Sequence, residues 1–290
     1  MQDQASQLRK LVSQDDDCVS SKTKSPQRIV LLGAKGGVGT TTIAINLAIA
    51  LRKLDHSVML IDAAKRGGDV ATICDVSAER GLEDVLQSRC DWNAATITGP
   101  TGISLVVQRQ DSITDEQQTK QLKRKLDSGL ARNDFVVIDA GAQVQCCETI
   151  VRQTDLCLIL SSPDHVSMKR SYRLLRQLWQ TDGVSPRLVI NGVRDSSVAH
   201  DMAGRLTTST KRLLGFDLET FLVNADPLLA TNLQVNRSAL CVNADALVSQ
   251  QLMRLSEQLT RREIKKTDSE SHRTASQNHQ QTPLKSLTVA

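Results

Sequence analysis

Aromatic side chains are scarce in this sequence. The 290 residues include three Phe, two Trp and one Tyr, so aromatics make up only 2% of the chain. The hydrophobic core must therefore be built almost entirely from Leu, Val, Ile and Ala. Hydrophobic residues reach 40%, which is close to an ordinary globular domain, and a chain of this length buries enough surface to fold without disulfides or metals.

Paired cysteines and long apolar runs are also missing. The seven cysteines are odd in number and include no C-x-x-C pair, which favours reduced thiols over a disulfide framework or a zinc site. No apolar run approaches the roughly 18 residues that span a membrane, and the first ten residues contain no apolar signal core. These absences predict a cytoplasmic protein.

Strong charge of either sign is absent as well. The formal net charge is +4, and the basic residues are scattered apart from two groups within 123–125 and 169–176. Each group is typical of a solvated helix face. This balance permits contact with an anionic membrane and does not favour nucleic acid as a partner.

Buried-strand patterns alternate with helical patterns along most of the chain. Continuous or near-continuous apolar runs occur at 29–33, 58–61, 103–107, 135–138, 156–160, 188–190 and 217–223. Helical patterns occupy most of the intervals between them, for example 115–126, 166–179 and 197–214. The alternation predicts an α/β fold, a doubly wound parallel sheet covered by helices on both faces.

The composition divides the chain into four segments. Residues 1–12 predict a short amphipathic helix, and residues 13–26 a polar, flexible linker. Residues 27–262 predict one nucleotide-binding domain that closes with a helix over 244–262. Residues 263–290 are rich in Ser, Gln, His and Thr, and we expect them to be disordered.

A glycine-rich loop follows the first predicted strand. From Gly33 the sequence reads GAKGGVGTTT and runs directly into an apolar-periodic helix. In this context the glycines let backbone N–H groups surround phosphate oxygens at a helix N-terminus, and a hydroxyl ligates Mg²⁺. The hydroxyl in question is that of Thr41. The predicted nucleotide site comprises Lys35, Gly36, Gly37, Val38, Gly39, Thr40, Thr41 and Thr42.

The KGGVG loop resembles the deviant Walker motif of the MinD/ParA family of P-loop ATPases, and the resemblance extends over about residues 27–262. It implies a bound ATP or ADP with Mg²⁺, and a homodimer in which Lys35 reaches the other subunit's nucleotide. The chain departs from the family at Thr40, which replaces the lysine that contacts the β- and γ-phosphates. Because charge-assisted bonds to phosphate are strong, we expect weakened binding, about tenfold for each 1.4 kcal/mol lost.

Two aspartates follow predicted buried strands. The resemblance assigns Asp62 and Asp139 to indirect Mg²⁺ binding, with Asp139 as the Walker B residue and Gly141 as a switch glycine. The alternative for Asp139 is a helix cap at the strand end. The family carries a second aspartate two positions after the first, where this chain has Ala64. A methyl group cannot position the attacking water, so the sequence predicts weak or absent hydrolysis and no assigned catalytic residue.

Two later loops resemble the family's adenine-binding region. Asn191 follows the apolar run 188–190, and Asp226 lies in an Asn-Ala-Asp-Pro sequence. Both are candidates for contact with the base. The alternative for Asn191 is a left-handed turn that leads into Gly192.

The first residues carry a second motif. Asp3, Gln4, Ala5, Leu8 and Arg9 match a DQAxxLR pattern, which resembles the activator segment of the FlhG (FleN) family of flagellar-number regulators. The resemblance implies that this helix docks on an FlhF-type GTPase. Gln4 would lie near the partner's nucleotide, Ala5 and Leu8 would supply apolar contact, and Arg9 a charged one. The alternative is an unrelated N-terminal helix.

Together these features predict an FlhG-like regulator of flagellar number or placement, a pseudo-ATPase that acts through its N-terminal helix. The alternative is an active MinD/ParA-type ATPase in DNA partition or division-site positioning. The last predicted helix carries Leu252, Leu255 and Leu259 ahead of several basic residues. It predicts either a peripheral contact with an anionic membrane or packing on the domain.

Overall fold

A single mixed sheet organises the chain. The computed structural model describes residues 25–64, 69–109, 116–126, 130, 132–142, 150–152, 154–179, 186–226 and 245–260. The strands are β1 (Gln27–Gly33), β2 (Val58–Asp62), β3 (Ile97–Thr98), β4 (Ser104–Val106), β5 (Phe135–Asp139), β6 (Leu156–Ser161), β7 (Pro186–Val193) and β8 (Thr220–Asn224). Their order is β3-β4-β2-β5-β1-β6-β7-β8. Every neighbouring pair is parallel except β3 with β4.

Helices cover both faces of the sheet. They are α1 (Thr40–Lys53), α2 (Asp69–Cys74), α3 (Leu82–Leu86), α4 (Trp92–Ala95), α5 (Glu116–Leu126), α6 (His165–Trp179), α7 (Ser196–Leu214) and α8 (247–260), with a 3₁₀ turn at Pro100–Gly102. Successive strand residues point to opposite faces, so the sheet supports two separate hydrophobic clusters. One cluster contains the buried sides of α1, α2 and α8, and the other those of α3 to α7.

Local sequence signals set the ends of α7, the longest helix among the described residues. Asp195 precedes α7, and its carboxylate accepts hydrogen bonds from the backbone N–H groups of Ser197 at 2.8 Å and Val198 at 3.3 Å. Gly215 follows the helix with φ 78°, a left-handed conformation that suits glycine at a helix end. Between these two caps, α7 packs beside α6 and against β7 and β8.

The last helix packs on the domain. Val248, Leu252, Leu255 and Leu259 repeat at helical spacing and are each at most 2% exposed. Gln251 also ties α8 to the end of β8, since its amide nitrogen donates to Asn224 Oδ1 at 2.7 Å. The apolar residues that suggested a membrane helix therefore contribute to the core. Among the described residues no helix is both long enough and apolar enough to span a membrane.

The predicted α/β architecture is confirmed, with local corrections. The predicted strand over 217–223 begins only at Thr220, because pairing with β7 starts there, opposite Leu188. The antiparallel strand β3 and the helices α2, α3 and α4 were not predicted, because elements of two to six residues are too short to show a periodicity. The proposed helix over 1–12, most of the linker and the tail lie outside the described residues.

Candidate nucleotide-binding site

The glycine-rich loop lies at the point where the direction of strand order reverses. β1 pairs with β5 on one side and β6 on the other, and the loop leaves its carboxyl end. The backbone N–H of Gly33 donates to the Gly141 carbonyl at 2.7 Å, and that of Ala34 donates to the Leu160 carbonyl at 2.8 Å. In open α/β sheets the crevice at such a switch point is the usual ligand position.

The loop has the conformation that an anion cradle needs. Gly37 and Gly39 adopt φ 79° and 86°, values that L residues with a side chain rarely adopt. Gly39 begins α1 with no side-chain cap, and the first turn of the helix contains no acidic residue. The N–H groups of that turn and the positive end of the helix dipole are therefore available to phosphate.

Thr40 is turned inward and does not replace the missing lysine. Its side chain is 8% exposed, and a Cβ on Gly33 would lie 2.5 Å from its Oγ1. The hydroxyl therefore packs beneath the loop, against the one residue type that leaves room for it. Thr41, the predicted Mg²⁺ ligand, is half-buried in the same helical turn.

Asn191, which lies in β7, forms a hydrogen bond to the phosphate loop across β6. Its Nδ2 donates to the Val38 carbonyl at 2.9 Å and would lie 2.4 Å from a Cβ on Gly39. Gly192 is left-handed at φ 74°, whereas Asn191 itself has no positive φ, so the left-handed turn considered for Asn191 is not present at that residue. Contact between Asn191 and a base stays a prediction, as does the role of Asp226, which is half-buried just beyond the end of β8.

The two strand-end aspartates lie side by side. Asp62 and Asp139 are register partners on β2 and β5, so their side chains leave the same face of the sheet, and they are 1% and 0% exposed. Asp62 Oδ1 accepts from Ala64 N at 3.2 Å, and Asp139 Oδ1 accepts from Gly141 N at 3.0 Å. Both carboxylates are thus held by the loops that follow their strands.

The donor set fits Mg²⁺. Mg²⁺ prefers oxygen ligands, keeps several waters and is usually bound through one or two carboxylates together with the phosphates of a nucleotide. Thr41 would ligate the ion through its hydroxyl, and Asp62 and Asp139 would hold its waters. Within the described part of the chain there is no cluster of three or more His, Cys, Asp or Glu that could hold a metal without a nucleotide.

Ala64 closes the gap between the two acidic loops. It is 9% exposed, and its Cβ would lie 3.0 Å from a Cβ on Gly141, which is left-handed at φ 59°. The loops after β2 and β5 therefore abut at the place where the resemblance puts a water-orienting carboxylate.

Lys35 is held within its own chain. Its Nζ forms an ion pair with Asp164 Oδ2 at 2.8 Å, and Asp164 also accepts from Ser162 Oγ at 2.6 Å and from the N–H of Ser167 at 2.9 Å. Burial acts to raise the pKa of Asp164. These hydrogen bonds outweigh that effect, so the pKa lies well below its usual value. Asp164 was not predicted from the sequence, although the polar SSPD stretch at the end of a buried apolar run indicates a site there.

The variant Asp164→Asn is expected to lower the free energy of unfolding at pH 7 by no more than about 1 kcal/mol, since both partners are partly exposed. The folded pKa is depressed, so the contribution is complete above the unfolded value of about 3.9 and is lost progressively as the pH falls from there through the folded pKa, which makes it smaller at pH 3 than at pH 7. Urea unfolding of wild type and variant at pH 7 and pH 3 measures this. The control Asp201→Asn removes the exposed Arg205 pair and should change little. A difference that persists unchanged at pH 3 would refute the assignment.

Comparison with known proteins agrees with this geometry. The family model described as AAA domain matches residues 26–183, more than half of the chain. The chain belongs to the AAA domain family. It is 27% identical to the antiactivator FleN of Pseudomonas aeruginosa over 203 residues, which cover 67% of this chain and 71% of FleN.

Solved structures place the chain among MinD/ParA-type folds. The MinC:MinD cell division complex of Aquifex aeolicus gives a TM-score of 0.67 at 21% identity and covers 90% of this chain and 98% of that one. MinD of Pyrococcus horikoshii, solved with Mg-ADP, gives 0.67 at 16% identity and covers 81% and 96%. The predicted resemblance to MinD/ParA-type P-loop ATPases is thus confirmed, and so is the likeness to FleN.

The AAA domain fold brings some predicted residues together and leaves others apart. Asp62 lies beside Asp139, Gly141 accepts a hydrogen bond from Gly33 at the start of the loop, and Asn191 donates one to Val38 in the same loop. Asp226 lies beyond β8, on the far side of β7 from β6. The predicted partner-binding residues Gln4, Ala5, Leu8 and Arg9 lie outside the described residues.

Proposed function

We propose that this chain is a FleN-like regulatory protein that binds ATP or ADP with Mg²⁺, hydrolyses it poorly, and controls flagellar number or placement by acting on an FlhF-type GTPase. The observation that carries the proposal is a phosphate loop with its glycine conformations in place, in which Thr40 replaces a lysine, while Ala64 after β2 replaces an aspartate. Such a site can sense a nucleotide without efficiently consuming it. The similarity to FleN over two thirds of the chain supports the regulatory role.

The ground for impaired hydrolysis is chemical. Phosphoryl transfer depends on charge placed around the transferred group and on a residue that orients water. Thr40 packs beneath the loop and brings no charge, and Ala64 brings no acceptor. Thr41, Asp62 and Asp139 remain as the Mg²⁺ set, so nucleotide affinity is reduced more mildly than turnover.

The proposed action on the GTPase depends on residues 1–12. An amphipathic segment on a polar tether folds on docking, which is the usual helix-in-groove mode of recognition. Gln4 would act near the nucleotide of the GTPase, while Ala5 and Leu8 anchor the helix. In this arrangement the nucleotide domain controls when the helix is presented.

A peptide of residues 1–20 is expected to stimulate GTP hydrolysis by the cognate GTPase, and Gln4→Ala is expected to abolish that stimulation because alanine cannot contact the reacting groups. Phosphate release under single-turnover conditions measures it. Gln7→Ala is the matched control, since it removes the same side chain off the apolar stripe, and it should retain stimulation. Equal stimulation by the Gln4→Ala and wild-type peptides would rule out the proposed role.

A second candidate is an active ATPase of the partition or division-site type. The intact loop geometry and the paired aspartates Asp62 and Asp139 favour it. This candidate requires a homodimer in which Lys35 leaves Asp164 for the other subunit. ATP-dependent, salt-sensitive binding of random duplex DNA, or nucleotide-dependent binding to anionic liposomes, would support it over the regulator.

A further inference from the structure

An apolar groove runs between α6 and α7, on the face of the sheet opposite α1 and α8. It has a volume of about 540 Å³. Met168 and Leu206 form its floor at 9% and 6% exposure, and Val198 and Leu213 lie on its rim at 45% and 65%. Isolated apolar residues on a surface are ordinary, but a groove with an apolar floor and an apolar rim is a recognition surface.

The charge around the groove is mainly positive. Lys169 and Arg205 are its cationic lining residues, and Asp201 is the acidic lining residue, paired with Arg205 at 3.1 Å. A second copy of the chain would bring the same cations face to face. The tail over 261–290 carries six basic and three acidic residues, and it leaves from α8 on the opposite face of the sheet. Both are poor occupants.

The N-terminal segment has a complementary apolar side. Residues 3–12 carry Asp3, Arg9 and Lys10, so the match to the groove is mainly apolar, through the stripe of Ala5, Leu8, Leu11 and Val12. Three further aspartates, at 15–17, follow directly in the linker. The linker is also long enough to reach the groove. α6 runs antiparallel to the strands, so it ends near the amino end of the sheet, where β1 begins. The 14 residues from 13 to 26 span up to about 45 Å, against about 22 Å for the whole of α6.

We infer that residues 3–12 dock in cis into the groove between α6 and α7, with the stripe on Met168, Leu206 and Leu213, and that this docking withholds the helix from its GTPase. The regulatory consequence rests on the proposed function, whereas the docking itself does not. The chain is then autoinhibited, and whatever opens the groove releases the activator.

Photo-crosslinking in the full-length chain tests the docking. Benzoylphenylalanine placed at Leu8 is expected to crosslink to α6 and α7 within one monomer, and the same group at Gln7, off the stripe, about tenfold less. That ratio corresponds to the burial of part of one leucine side chain. Leu213→Glu, an exposed position that should not disturb folding, is expected to reduce the Leu8 crosslink by a similar factor.

The crosslinking pattern distinguishes docking within one chain from the alternatives. Equal yields from both positions, products spread over other surfaces, or crosslinked dimers that increase with concentration would each overturn cis docking. Where the peptide of residues 1–20 stimulates the GTPase, Leu213→Glu should raise stimulation by the full chain several-fold and leave the peptide unaffected. Where the peptide does not stimulate, the proposed function fails, and the crosslinks still report whether the groove is filled.

Discussion

Replacing Thr40 by lysine and Ala64 by aspartate together is expected to raise the rate of ATP hydrolysis by about 10²–10⁴-fold, the range typical of one well-placed proton-transfer or water-orienting group. Lysine at position 40 restores a cation for the phosphates. Aspartate at position 64 places a carboxylate where the loops after β2 and β5 meet, beside Gly141, which has no side chain to oppose it. The effect is large because the rest of the site is already built.

The single variants separate binding from chemistry. Thr40→Lys alone should tighten nucleotide binding about tenfold or more, since 1.4 kcal/mol corresponds to a factor of ten, and should change turnover less. Ala64→Asp alone should raise turnover with little change in affinity. Thr40→Gln and Ala64→Asn are controls of matched size without the charge. Calorimetry with Mg²⁺ and phosphate release give the two quantities.

Nucleotide binding and turnover by the wild-type chain distinguish the possible modes of regulation. Micromolar binding without turnover would make the chain a nucleotide sensor and keep the homodimer model. Absence of binding in wild type, with binding in the double variant, would place the function in the N-terminal helix and its partners. Turnover in wild type equal to that of the double variant would contradict the proposed pseudo-ATPase.

Alanine substitutions along the phosphate loop should rank in the order Gly36, Gly37 and Gly39, from harmless to severe. A Cβ at Gly36 meets nothing within 4 Å and Gly36 lacks a positive φ, so its substitution should leave the free energy of unfolding unchanged. Gly37 has the same open space but φ 79°, and its substitution should cost about 1–2 kcal/mol of left-handed strain.

Gly39→Ala combines strain with a clash. A Cβ there would lie 2.4 Å from Asn191 Nδ2, so the amide must move and its bond to the Val38 carbonyl is lost. We expect about 2–3 kcal/mol of destabilisation, the strain plus one hydrogen bond, and a marked loss of nucleotide affinity. Urea unfolding and calorimetry measure these effects.

A double-mutant cycle checks the cause. Asn191→Ala should destabilise less when Gly39 is already alanine, because the clash is relieved and the hydrogen bond is already gone. Strictly additive effects would mean that Asn191 does not secure the loop.

The sequence alone determined the parts of this protein whose signals are local. The α/β class and the glycine-rich loop follow from periodicity and glycine spacing along a few residues, and the departures at Thr40 and Ala64 follow from the resemblance to the MinD/ParA family. Short elements were not predicted. β3, for example, spans two residues, which are too few to show a periodicity.

The tertiary structure decided what depends on strands distant in sequence. It paired Lys35 with Asp164, 129 residues away, and brought Asn191 onto a carbonyl 153 residues before it. It also buried the leucines of α8, whose apolar stripe fits a membrane surface as well as a protein core. A pattern states which side of a helix is apolar, but only packing selects what that side contacts.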